Sequence, residues 1–167
     1  MKPVKTKKLT VMALTTALAM ILSFVESQIP AFVAVPGVKM GLANIAVVFA
    51  LYKLGWKEAV AISLVRVVLV SLLFGSIASL FYSLAGAVLS LAGMGLLKRS
   101  GKFTEIVVSV AGGILHNIGQ IAMASLILET DALRYYLPFL LLSGTVAGVV
   151  IGVVSAIMVK RIRIDTI

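Results

Sequence analysis

One arginine and one short polar run interrupt an otherwise apolar chain, and both stand where a side chain would be far from water. Arg66 lies nine residues beyond Lys57, about 14 Å along a helix, and so near mid-membrane if that stretch spans a bilayer. It is the one formal charge at the centre of any apolar stretch. A guanidinium at that depth is costly unless it is paired or faces a cavity. Two roles meet that condition: a structural arginine bonded to carbonyls of a neighbouring helix, or a counter-ion for an anionic or carbonyl-bearing ligand. The second is preferred. The polar run is His116-Asn117-Ile118-Gly119-Gln120. His116 and Gln120, four apart, share one helix face, whereas Asn117 sits about 100° round from His116 and can reach a neighbouring helix. Three polar side chains in about one and a half turns do not suit lipid. They are either glue between helices or part of a ligand site, and the ligand site is preferred. Counted from Phe103, His116 lies about 20 Å along its helix, in the outer half of the membrane, which predicts a pocket that opens outward.

A third group is Ile29 to Asn44 (IPAFVAVPGVKMGLAN). The loop is too apolar for a solvated connector, and the helix that follows, Gly41 to Gly55, is short for a complete span. Both features fit a loop that dips into or lies over the bundle, which is tolerated where protein or a cavity covers its backbone. Pro30, Pro36 and Gly37 would set its turns. We read it as a lid over the outward pocket, with Lys39 and Asn44 near its hinge; the plainer alternative is an interfacial anchor with no binding role.

Several chemistries have entry requirements that can be counted, and the chain fails them. It has no GxxxxGK[ST] and so no P-loop of its own. Its carboxylates are Asp131, Asp165, Glu26, Glu58, Glu105 and Glu129, and only Glu129 and Asp131 lie close together. Ionising a prenyl diphosphate needs several magnesium ions held on clustered oxygens, which this set does not supply. One histidine and no cysteine leave no ordinary zinc site. The expectation is a protein that is not an enzyme, with no metal and no cofactor.

The elements that would position these groups follow from composition. Of 167 residues, 61% are apolar and 13% charged, against about 45–50% and about 25% in soluble domains. At about 20 residues per span, the chain has room for six or seven membrane helices and little else. Six apolar stretches stand out, at about 9–26, 41–55, 58–75, 77–97, 103–128 and 137–159. They predict a single-domain, all-α integral membrane protein with six transmembrane helices, since barrel strands would be short and alternating. The first stretch is read as a retained span, because no small-residue cleavage site precedes Pro30. With the N-terminus inside, the inner segments hold Lys2, Lys5, Lys7, Lys8, Lys53, Lys57, Lys98, Arg99, Lys102, Lys160, Arg161 and Arg163. The outer loops hold only Lys39 and Arg134. That bias places both termini in the cytoplasm of a cell-membrane protein. The net charge of +9 is then a topology signal that also attracts anionic lipid, and nucleic acid is not an expected partner.

Small residues at i, i+4 let helices approach closely in lipid. Ala13 and Ala17 form such a pair in the first helix, and Gly144, Gly148, Gly152 and Ala156 a continuous ridge in the last. The ridge is expected to serve internal packing.

The segments Pro36 to Ile45 (PGVKMGLANI), Arg66 to Gly75 (RVVLVSLLFG), His116 to Gln120 (HNIGQ) and Tyr135 to Pro138 (YYLP) resemble the Gx transporter family. That family is catalogued also as component I of heptaprenyl diphosphate synthase. It is in turn similar to the S components of energy-coupling-factor transporters, six-helix proteins that bind a vitamin-like solute from outside. They dock on a transmembrane coupling subunit with two cytoplasmic ATPases. The resemblance implies that Ala13 and Ala17 match the alanine motif that contacts the coupling subunit, and that Ser27 to Met40 is the substrate gate. It implies a function, capture of a small, partly apolar solute for ATP-driven uptake; the polar groups described above, Lys39, Asn44, Arg66, His116, Asn117 and Gln120, are then the candidate binding residues. The other reading is an accessory membrane subunit of an isoprenoid or quinone biosynthetic complex.

Overall fold

The computed structural model describes residues 3–28, 41–130 and 132–162. Their order is α1 (Pro3–Gln28), α2 (Asn44–Lys53), α3 (Trp56–Phe74), α4 (Ile77–Ser100), α5 (Glu105–Ile127), a 3-10 turn (Ala132–Tyr136) and α6 (Leu137–Arg161). No strand occurs among the described residues. Lys39 and most of the expected lid, residues 29–40, lie outside the described residues.

Among the described residues, four segments are long and apolar enough to cross a membrane: Thr6–Gln28, Ile77–Ser100, Glu105–Ile127 and Leu137–Arg161. The helix α3, at 19 residues, has nearly the length to span but carries Lys57, Glu58 and Arg66. The short helix is shorter still than the sequence suggested. With 10 residues α2 rises about 15 Å, half of a hydrocarbon core. Glycines at positive φ stand on either side of it, Gly41 at +85° and Gly55 at +122°, backbone conformations that a side chain rarely adopts. The N–H groups of Leu54 and Gly55 both donate to the Ala50 carbonyl and end the helix.

The connections at the other helix ends are cut by local chemistry. Ser76 and Ser79 cap α4 reciprocally: Ser79 N–H donates to Ser76 Oγ at 3.2 Å and Ser76 N–H to Ser79 Oγ at 2.9 Å. Gly101 at φ +67° closes the C-terminus of α4, and Thr104 caps α5.

The bundle turns large aliphatic side chains outward and keeps a set of polar ones inside, among an apolar core. Leu72, Ile77, Leu96 and Leu126 are each at least 70% exposed, while Arg66, His116, Asn117, Gln120, Ser63, Ser90 and Ser155 are buried. Water would penalise so much exposed aliphatic surface, and lipid does not. The small helix α2 is apolar, and seven of its ten residues are buried. Val47, Val48, Ala50 and Leu51 pack with Ile62 of α3, Leu91 and Met94 of α4 and Val108 of α5. A helix wrapped in protein need not reach both membrane surfaces.

Glycine sets the spacing of α4, α5 and α6. A Cβ on Gly119 would stand 2.7 Å from the Ala85 carbonyl oxygen, and one on Gly113 would stand 2.6 Å from that of Gly144. On α6, a Cβ on Gly148 would meet Val110 Cα at 2.7 Å, and one on Gly152 would meet Ile106 Cα at 2.7 Å. These obstructions are backbone and cannot rotate away. The Gly144, Gly148, Gly152 ridge therefore does serve internal packing, against α5. On its other side α6 reaches α2, where Ser155 Oγ donates to the Ile45 carbonyl at 3.3 Å. Against α3 and α2 lies α1, with Thr15, Ala19, Ser23 and Glu26 buried and Ala13, Leu14, Ala17 and Ile21 turned outward.

Candidate functional site

At the end of the bundle where α1 stops and α2 starts, Glu26 is buried in the last turn of α1. The Gly41 N–H donates to Glu26 Oε1 at 2.5 Å, a charge-assisted bond that joins the two helices. Gly41 suits this place because its φ is positive and because a Cβ there would stand only 3.1 Å from Asn44 Nδ2. Asn44, buried in the first turn of α2, thus sits beside the residue that bonds Glu26.

The facing wall belongs to α3. Arg66, Val67, Val70 and Ser71 follow at i, i+1, i+4 and i+5 and share one face. With Glu26, Gly41, Ser83 of α4 and His116 of α5 they line a common cavity. Arg66 and His116, separated by 50 positions in sequence, therefore meet at one void. Arg66 is 8% exposed and Glu26 6%, and the carboxylate's field acts on the guanidinium. Two opposite charges at one cavity offset part of the cost of removing each from water. Arg66 Nε is buried without a hydrogen-bond partner among the described residues, so one donor of the fork has no acceptor among them.

The cavity holds about 10 Å³, room for about one water. Sites for small organic molecules run from about 300 Å³ upward, so admitting a solute requires the surrounding elements to separate.

The polar run on α5 divides between two jobs. His116 and Gln120 face α4, where Gly86 makes space: a Cβ there would lie 2.9 Å from His116 Nδ1 and 3.0 Å from Gln120 Cγ. Asn117 turns the other way, and its Nδ2 donates to the Leu140 carbonyl of α6 at 2.7 Å. It reaches a neighbouring helix, as its angular offset suggested, and does not line the cavity. The depth of His116 also differs from the count made from Phe103. Because Thr104 caps the helix, α5 begins at Glu105, and His116 lies about 16 Å from either end, at its centre. The cavity extends from that level toward the Glu26 end.

Sequence reasoning passed over Glu26, Ser71 and Ser83. A signal for Glu26 exists in the phase of α1, since positions 15, 19, 23 and 26 fall on one face and three of them are polar. For Ser83 the spacing offers none. Ala13 and Ala17 stand apart from this site, on the outward face of α1. Among the described residues no group of three or more His, Cys, Asp or Glu could hold a metal ion.

A family model described as heptaprenyl diphosphate synthase component I matches residues 15–158. No curated protein and no solved structure matches the chain.

Proposed function

Since the chain belongs to the Gx transporter family, catalogued as heptaprenyl diphosphate synthase component I, we propose that it is the solute-capturing membrane subunit of an energy-coupling-factor-type transporter. The observation that carries this reading is the meeting of Arg66, Glu26 and His116 at one buried void. In the closed state Glu26 serves as the internal counter-ion of Arg66. A solute with a carboxylate or carbonyl head replaces it as acceptor on the guanidinium, where charge-assisted bonds are strong. His116 orients that head, with Gln120 and Asn44 behind the cavity lining, and apolar walls such as Val67 and Val70 receive the rest. Asn117 contributes at one remove, by tying α5 to α6. The lid, the segment 29–40 that follows α1, with Lys39, opens and closes access from outside. Both termini lie in the cytoplasm of the cell membrane, so the basic end faces the ATPases. Energy enters through those partners, because the sequence has no P-loop.

The outward face of α1 is the surface on which the coupling subunit docks. Ala13 and Ala17 are exposed there at i, i+4, which admits close helix approach. Ala13→Trp is expected to abolish co-purification of the coupling and ATPase subunits while the protein keeps its melting temperature. Pull-down from native membranes checks this, and undiminished recovery of the ATPases would contradict it.

The family description favours one other reading, an accessory membrane component of a prenyl diphosphate synthase. In that case the same pull-down would recover a soluble prenyltransferase in place of ATPases. The six carboxylates of this chain do not form the cluster that such catalysis needs, so the diphosphate chemistry would belong to the partner.

A further inference from the structure

A second and larger concavity lies at the opposite end of the molecule and is independent of the solute site. It is an open groove of about 660 Å³ between the α2–α3 turn and the last turns of α4. Its floor is apolar, formed by Trp56, Ala92, Gly95 and Leu96, and its rim carries Lys98 and Arg99. Trp56 lies flat against Gly95: a Cβ there would stand 2.7 Å from Trp56 Cε3, so the absence of a side chain at 95 creates the seat of the indole. Trp56 is nevertheless 44% exposed and Leu96 72% exposed, which leaves both available to something apolar.

The rim is built for an anion. Lys98 Nζ donates to the Leu51 carbonyl and stands 5.1 Å from the Tyr52 ring centroid, which fixes its direction while two of its three donors remain. Arg99, one residue on, is exposed and presents a planar fork suited to phosphate oxygens. The nearby carboxylate at the start of α3, Glu58, is already joined to Lys8 at 2.5 Å. Tryptophan, lysine and arginine at one level also mark the headgroup region of a membrane.

We propose that this groove binds one anionic phospholipid, its phosphate on Lys98 and Arg99 and an acyl chain along Gly95, Leu96 and Trp56. Charge complementarity favours a headgroup with net negative charge over one whose phosphate is offset by its own cation, and the apolar floor selects a chain, which free phosphate lacks.

Trp56 is the sole tryptophan of the chain and reports directly on the groove. The full-length protein is reconstituted in vesicles in which phosphatidylglycerol or phosphatidylcholine carries brominated chains, and quenching of Trp56 gives their relative binding. Phosphatidylglycerol is expected to be preferred by about five-fold or more, the scale set by a basic residue near the headgroups. Arg99→Gln should reduce that preference several-fold, and Lys98→Gln with Arg99→Gln should bring it to about one. Lys102→Gln, an exposed cation at the same end but off the rim, should leave it unchanged. Equal quenching by both lipids in the unaltered protein, or a preference that survives the double substitution, would overturn the proposal and leave the groove to a protein helix.

Discussion

Arg66→Met destabilises the protein by about 3–5 kcal/mol, the usual cost of breaking a buried charge pair from one side, because Glu26 is then buried without its counter-ion. The bond from the Gly41 N–H stabilises the carboxylate but does not neutralise it. Adding Glu26→Gln to the same chain removes the charge, and most of the lost stability returns. The two single substitutions are therefore strongly non-additive, as residues that act on one another should be. Thermal unfolding of the two single variants and the double variant in one detergent checks this. Additive losses would mean that the two groups share a cavity without sharing a charge interaction. The account adds a second readout: solute uptake by membrane vesicles stays lost in the double variant, since restored stability does not restore the guanidinium.

The other large effect belongs to the α5–α6 contact. Gly148→Val is expected to lower stability by about 3 kcal/mol, the upper part of the range for overpacking. For a chain of this size that is about 6–12 °C in Tm. The reason is geometric: the new Cβ would stand 2.7 Å from Val110 Cα and 3.2 Å from the Ser109 carbonyl oxygen, and backbone cannot rotate out of the way. The whole helix must move, which also disturbs the Asn117 bond to Leu140. Val149→Leu, one residue on and 42% exposed, is the control and should change Tm by about 1 °C or less, as substitutions away from such contacts do. Equal effects at 148 and 149 would remove close packing from the explanation.

How much of this could be read from the residues depends on whether a property is local or made by tertiary contact. The glycine ridge is local: i, i+4 spacing on one helix already defines a flat face, and its partner helix is a matter of completing the bundle. Arg66 and His116 were legible as groups too costly to leave in lipid, and that cost drives them to a common interior. Their meeting at one cavity was not legible, because it depends on how α3 and α5 are arranged around α4. Glu26 was hidden by a boundary: the apolar stretch was taken to end there, whereas α1 continues to Gln28 and its buried face includes the carboxylate. The position of His116 along α5, at its middle, depends on where α5 begins, which the Thr104 cap decides. The brevity of α2 was anticipated and its cause was not. Enclosure by the other five helices accommodates a ten-residue segment, and no single-residue signal reports enclosure.

Native mass spectrometry of the gently extracted protein tests most directly whether the Arg66–Glu26–His116 chamber is a solute site. The unaltered protein is expected to carry one small organic mass besides lipid, at one per chain, and the Arg66→Met, Glu26→Gln double variant to carry none while retaining its fold. An additional mass held equally by both proteins, or no such mass on either, would contradict the assignment.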